Sequence, residues 1–244
     1  MSTLPPSDKG KIRFLVEALP AGKYQENNLA EFLLSGLEKL EVDMAAAHQE
    51  KILHYIELMI KWNRAYNLTS VRDPKEIVVR HILDSLSVGR YLEGESIIDV
   101  GTGAGLPGIP LALAYPDRVF TLLDSNGKKA RFLFQVQHVL KLSNVNIVNE
   151  RVEGYQKSNQ LNEVKTYKRF DTIIARAFSS LREMLYNTEH LAHPHGVFLA
   201  MKGVYPLTEL HEIPSEFKVL FVEKLTVPFL DAERHLVKIK FNED

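Results

Sequence analysis

The chain has 244 residues, 45% of them apolar, with 30 basic residues against 31 acidic ones and no cysteine. That length permits a substantial core, as one domain or one domain with an appendage. The missing cysteines exclude a disulfide framework, a thiolate metal centre and a cysteine nucleophile, and the near-neutral charge means that any nucleic-acid contact must come from a local patch. With no apolar run near eighteen residues and no charged-then-apolar leader, neither a membrane span nor a signal peptide is expected, and the reading is a cytoplasmic protein.

The first residues carry Pro5, Pro6 and Pro20 among scattered charges, and only 14–19 could pack, so 1–27 reads as a loosely ordered tail. From Asn28 the pattern changes. Leu29, Phe32, Leu33, Leu37 and Leu40 recur at spacings of three and four, and Ile52, Tyr55, Ile56, Met59 and Ile60 repeat the pattern, which predicts two amphipathic helices covering one side of a sheet. The stretch 62–69, W-N-R-A-Y-N-L-T, ends the second helix, with Trp62 and Tyr66 packing while Asn67 and Thr69 cap and turn. Asp73 before Pro74 is a helix start, and the helix it opens runs through His81, Leu83, Asp84 and Leu86 towards Tyr91. Residues 28–93 therefore read as a helical segment preceding a second unit, 94–244.

In that unit strands and helices alternate. Strands are expected at 96–100, 119–124, 145–149, 170–175 and 197–201, with helices at 109–115, 126–140 and 181–190. Such alternation implies right-handed crossovers and a parallel sheet covered on both faces. After Pro206, the runs 217–225 and 235–241 follow one another with no helix between, which predicts an antiparallel pair at one edge. His190, His193 and His195 are the only histidine cluster, but His-Pro-His reads as a turn before a buried strand, so no metal site is expected.

The stretch 96–110, S-I-I-D-V-G-T-G-A-G-L-P-G-I-P, organises the rest. It reads as strand, glycine turn and helix, with Pro107 and Pro110 suited to a first helical turn. Leu106 stands where a dinucleotide fingerprint needs its third glycine, and Gly108 is followed by Ile109 and Pro110 rather than by the Lys-Ser/Thr of a phosphate loop. What remains is G-x-G-x-G with Asp99 before it and Asp124 about 20 residues beyond, where a carboxylate can hold a ribose diol. That combination resembles the S-adenosylmethionine (AdoMet) site of the Rossmann-like methyltransferases. It implies a mostly parallel α/β sheet of that kind, with an antiparallel C-terminal edge pair and an N-terminal helical cover. Gly101 and Gly103, with no Cβ, are expected to let the turn's backbone N–H groups close on a bound ligand.

Other residues converge on that cleft. Lys128, Lys129 and Arg131 stand in the first turns of the next helix, where the dipole disfavours cations unless an anion is near. Strand ends on one side of a parallel sheet meet at the ligand, so Arg176 and Lys202 should face the same cleft as Gly103 and Asp124. A solvated helix face for the first three and an edge salt bridge for the other two are the alternative explanations of these cations.

The blocks I-D-V-G-T-G-A-G-L-P-G-I-P-L, T-L-L-D-S-N-G-K-K-A-R-F-L, R-V-E, A-R-A-F-S-S-L and M-K-G, with W-N-x-x-Y-N-L-T and R-H-I-L-D-S-L ahead of them, resemble the bacterial small-subunit (16S) ribosomal RNA guanine-N7 methyltransferase G family, also called the glucose-inhibited division protein B family. The likeness covers about 50–202. It implies AdoMet as methyl donor, ribosomal RNA or the small ribosomal subunit as partner, a monomer, and AdoMet contacts at Gly101, Leu106, Val152, Glu153 and Arg176. Lys128, Lys129, Arg131 and Lys202 would then touch RNA. Guanine N7 carries an exposed lone pair and needs alignment rather than a base, so Arg176 would bind and orient. Two features depart from the family, the polar segment 156–168 and the tail before Asn28. A methyltransferase of a small molecule or protein, and a non-catalytic nucleotide-binding protein that docks on RNA, are the other readings these residues allow.

Overall fold

The computed structural model describes residues 27–155, 169–176 and 178–242. The expectations for the tail and for the segment 156–168 lie outside the described residues, apart from Asn27. Helix α1 (Asn27–Lys39) buries Leu29, Leu33 and Leu37, one residue per turn. Helix α2 (Ala46–Tyr66) buries Ile52, Tyr55, Ile56, Met59 and Trp62, and stops at Asn67, whose left-handed backbone (φ 48°) is one that asparagine tolerates. Asp73 caps the next helix as expected, its carboxylate accepting the Glu76 N–H at 3.0 Å with Pro74 in the first turn. That helix is not uniform. Three segments, Pro74–Ile77, Val78–Leu83 and Asp84–Leu86, run on as one rod (α3) whose middle is π-helical, and a 3₁₀ turn, Gly89–Tyr91, follows.

The sheet strands are β1 (Ser96–Val100), β2 (Val119–Leu123), β3 (Val145–Val148), β4 (Phe170–Ala175), β5 (Ala192–Lys202), β6 (Phe217–Lys224) and β7 (His235–Phe241), in the spatial order β3-β2-β1-β4-β5-β7-β6. The first five run parallel, while β7 pairs antiparallel to both β5 and β6, so the C-terminal pair closes one edge. Period-two alternation sorts the strands' side chains. Ile97, Ile174 and Leu199 share a core with α1–α3 and with α4 (Gly108–Ala114) and α5 (Gly127–Leu140). Ile98, Ile173 and Phe198 share the opposite core with α6 (Leu181–Thr188), which Ser180 caps by accepting the Glu183 N–H. A short helix, α7 (Leu207–His211), follows β5.

One expected turn is part of a strand. β5 begins at Ala192 rather than Val197, and His193, Pro194 and His195 form an exposed excursion within it. Ala192 pairs with Phe170 and Val197 with Thr172, so between these pairs four residues of β5 stand against one of β4. The extra residues bulge outward, and Gly196 lets the chain return, since a Cβ there would stand 2.8 Å from the Phe170 carbonyl oxygen.

Candidate functional site

The order of strands reverses between β1 and β4, where a parallel sheet opens a crevice at its carboxyl ends. Asp99 pairs with Ile174 on one side, which sets Gly101 beside Arg176, and with Leu122 on the other, which sets Gly101 beside Asp124. Three of the residues expected at the site are thus neighbours by register.

The glycines of the turn divide into two kinds. A Cβ on Gly108 would stand 2.1 Å from Leu122 Cδ2 and one on Gly105 2.5 Å from Ile109, so these two serve packing. Gly101 and Gly103 have positive φ (70° and 62°); a Cβ on Gly101 would meet nothing within 4 Å, and the nearest atom to one on Gly103 is Lys129 Nζ at 3.7 Å. These two form an open cradle. The turn's backbone N–H groups, by contrast, are mostly spent internally: those of Gly101 and Thr102 go to the Leu123 carbonyl, Gly105 and Leu106 to the Thr102 carbonyl, and Gly103 to Asp124 Oδ2 at 2.8 Å. The expectation that the turn offers free donors is therefore corrected. What it offers is close approach. Leu106 is buried, and its side chain packs in the core under the helical cover.

Beneath the turn Asp99 is fully buried, and its Oδ2 accepts from Thr102 Oγ1 (2.6 Å) and from the Gly108 N–H (2.8 Å). Burial pushes its pKa up to about 6 against the pull of those bonds, and its Oδ1 has no hydrogen-bond partner. From α2, the buried Tyr55 hydroxyl donates to the Ala104 carbonyl at 2.6 Å and ties the helical cover to the turn. Asp124 holds the far side: its Oδ1 accepts the Asn126 N–H and its Oδ2 the Gly103 N–H. A carboxylate has about four acceptor positions, so two remain for hydroxyls.

Next to the turn lies a cavity of about 360 Å³ lined by Val71, Arg80, His81, Asp84, Arg176, Met201, Lys202, Gly203 and Arg234. Register explains its far wall, since Ala175 pairs with Ala200, and Met201 and Lys202 pair with Leu236 and His235, so the residues just beyond β4 and just before β7 meet at the end of β5. At its centre the Asp84 carboxylate, its side chain 3% exposed, accepts from Arg234 Nε at 2.8 Å and from Arg176 Nη1 at 3.4 Å. Arg176 also reaches the Arg80 carbonyl at 3.5 Å. Burial raises the Asp84 pKa while the two guanidinium groups pull it back. His81 is buried in the same wall with its Nε2 2.7 Å from Thr69 Oγ1, and burial, reinforced by Arg176, lowers its pKa to about 4. It is neutral at pH 7.

Other expected residues have different company. Lys129 Nζ stands 3.8 Å from Asp124, and Asn126 caps α5 by accepting the Lys128 and Lys129 N–H groups, so a protein carboxylate and a cap offset part of the dipole cost. Lys128 is exposed and Arg131 half-buried. Lys202 is largely buried and paired with Glu209 at 2.7 Å. Arg176 and Lys202 line the cavity, and among the described residues none of its lining comes from the glycine turn, so the single expected cleft is two adjoining sites with Arg176 between them. Val152 and Glu153 form a 3₁₀ turn after β3, with Glu153 exposed and the Val152 carbonyl 3.2 Å from His190 Nε2. Trp62 and Tyr66 stack at 5.1 Å and Asn63 Oδ1 accepts the Thr69 N–H, so that stretch is structural as expected. Among the described residues no three His, Cys, Asp or Glu gather as a metal site, and no helix is long and apolar enough to cross a membrane.

Sequence reasoning missed Asp84 and Arg234 as a pair. A carboxylate inside the apolar helical pattern of I-L-D-S-L needs a buried partner, and that was a legible signal. Its partner, 150 positions away, left none.

Comparison with known proteins follows the same lines. The family model described as rRNA small subunit methyltransferase G matches residues 48–237. A ribosomal RNA small subunit methyltransferase G from Alteromonas mediterranea is 48% identical over 215 residues, covering 88% of this chain and 98% of that protein. The protein of the same name from Salmonella newport is 51% identical over 215 residues, covering 86% of this chain and all of the relative. Among solved structures, MtNAS in complex with MTA and tNA aligns with a TM-score of 0.53 at 13% identity, over 97% of this chain and 95% of that one, a likeness of fold alone.

Proposed function

The chain belongs to the family described as rRNA small subunit methyltransferase G, and from that premise we propose that it transfers the methyl group of AdoMet to N7 of a guanine in 16S ribosomal RNA. One observation carries the reading: the open cradle of Gly101 and Gly103 adjoins a cation-lined cavity, and Arg176 stands between the two. The residues present fit the cofactor. The cradle is where a Cβ would intrude, Asp124 keeps acceptor positions for a ribose diol, and Val152 and Glu153 stand at the end of β3 where adenine would lie.

AdoMet supplies an electrophilic methyl group, and the protein's task is alignment. Guanine N7 is an acceptor with a free lone pair, so no residue has to remove a proton before it attacks. Arg176, held by Asp84 and the Arg80 carbonyl, keeps a fixed direction and orients the base without acting as one. Neutral His81 and the buried Asp84 shape the wall. Lys128, Lys129, Arg131 and Lys202 form a cationic rim for RNA, with Lys129 and Lys202 exchanging their carboxylate partners for phosphate. In this reading 94–244 is the methyltransferase domain and 28–93 its helical cover. The enzyme works in the cytoplasm, as a monomer, on ribosomal RNA or the small subunit.

The test offers unmodified small ribosomal subunits and labelled AdoMet, then maps the methylated base. Label at N7 of one guanine is expected, and label on protein or on no RNA overturns the reading. Gly103→Arg should abolish AdoMet binding by calorimetry while the protein stays folded.

A further inference from the structure

We propose that the loop 203–207, Gly-Val-Tyr-Pro-Leu, is a stacking platform for bases flanking the target nucleotide in an unpaired stretch of RNA, an inference that rests on the RNA methylation proposed above. The loop leaves the cavity wall directly, since Lys202 and Gly203 line the cavity and Val204 comes next. Val204, Tyr205 and Leu207 are 71%, 50% and 61% exposed. Among the described residues eight large hydrophobic side chains stay exposed, and three of them fall within these four consecutive positions while the others are scattered. Scattered ones need no account, but a cluster beside a cavity does.

The loop is held rather than free to fold its apolar groups away. Pro206 is buried, and its carbonyl accepts the Leu210 N–H at 3.0 Å. The Leu207 N–H donates to the Tyr205 carbonyl at 3.0 Å, and the Tyr205 ring stands perpendicular to buried His235 with centroids 5.6 Å apart. Glu209 pins the base of the loop by pairing with Lys202 and accepting the Leu181 N–H at 2.7 Å. A rigid segment that keeps a tyrosine and two aliphatic side chains in water has its cost offset only when something covers them.

Charge complementarity identifies the occupant. Arg80, Arg176, Lys202 and Arg234 line the adjoining cavity, where Asp84 is the one acid of the lining, and outside it Glu76 and Glu209 pair with Arg80 and Lys202, so the cations still outnumber the acids around them. Cations that follow a phosphate backbone next to an exposed aromatic ring are the chemistry of single-stranded nucleic acid, because every base offers a face to stack. The acceptor atom requires the same. N7 lies on the major-groove edge, which in A-form RNA is too deep and narrow for side chains, so the target guanine must leave any helix and its neighbours lose a stacking partner. Tyr205 and Val204 replace that partner.

The experiment places the photoreactive p-benzoylphenylalanine at Tyr205 and irradiates the full-length protein bound to small ribosomal subunits. Crosslinks to RNA within a few nucleotides of the methylated guanine are expected, whereas crosslinks to a ribosomal protein or to a second copy of this chain overturn the proposal. In parallel, Tyr205→Ala should raise KM for the subunit about tenfold. Its kcat, AdoMet affinity and denaturation midpoint should stay at the wild-type values, and Tyr205→Phe should restore KM. An unchanged KM in Tyr205→Ala overturns the platform while wild-type methylation of the subunit stands; loss of the broader reading shows itself separately, as failure of the wild type to methylate RNA.

Discussion

Asp99 beneath the glycine turn and Asp84 in the cavity wall are both buried carboxylates, and they are held in opposite ways. Asp99 is bound by neutral donors three and nine residues away, Thr102 and Gly108. Asp84 is bound by two guanidinium groups 92 and 150 residues away. The first arrangement is local and follows once strand and turn have formed. The second exists only when α3, the end of β4 and the start of β7 have all arrived, so it reports on the assembled fold. The open side of the turn can therefore be altered at a small cost in stability, whereas the cavity couples binding to stability throughout.

The largest effect expected from that contrast is at Asp84. Asp84→Ala leaves Arg176 and Arg234 largely buried without their shared counter-charge, which should cost about 3 kcal/mol by urea denaturation and weaken the RNA substrate's binding as well. A loss below about 1 kcal/mol would mean that water solvates both arginines and that the cluster is an ordinary surface pair. The turn should give a split result. Gly108→Ala forces a Cβ into Leu122 and should cost about 2 kcal/mol of stability. Gly101→Ala meets no atom and should cost about 1 kcal/mol for its positive φ, yet lose AdoMet binding in calorimetry. If Gly101→Ala binds AdoMet normally, the cradle is placed wrongly.

The smallest net effect is in the pH dependence, because the two regions oppose each other. The Asp99 pKa is raised from 3.8 to about 6, so its contribution to stability is full below pH 3.8 and is lost as pH rises through 6. That of His81 is lowered from 6.5 to about 4, so its contribution is full above pH 6.5 and is lost as pH falls through 4. Between pH 4 and 6.5 the two nearly cancel. Removing one should uncover the other: Asp99→Asn should gain stability with rising pH across that window, and His81→Leu should lose it. Parallel urea midpoints for the two variants against pH would show that these groups are not the ones titrating.

What neighbouring residues settle among themselves is readable along the chain. β1 was legible as 96–100 because an apolar run into glycines has one physical reading, and α1 and α2 were legible because Leu and Ile recur with the helical period. Asp124 was placed at the turn by spacing along one strand–helix–strand unit, and its bond to the Gly103 N–H is local in that sense. The rest depends on contacts between distant segments. The middle of α3 is π-helical, His-Pro-His bulges within β5 because β4 fixes its register, and Lys202 turns to Glu209. The Asp84–Arg176–Arg234 cluster depends on β7 inserting next to β5, which no local pattern specifies. Periodicity and turn chemistry act over a few residues, whereas a charge chooses its partner by distance in space, and the order of strands sets that distance.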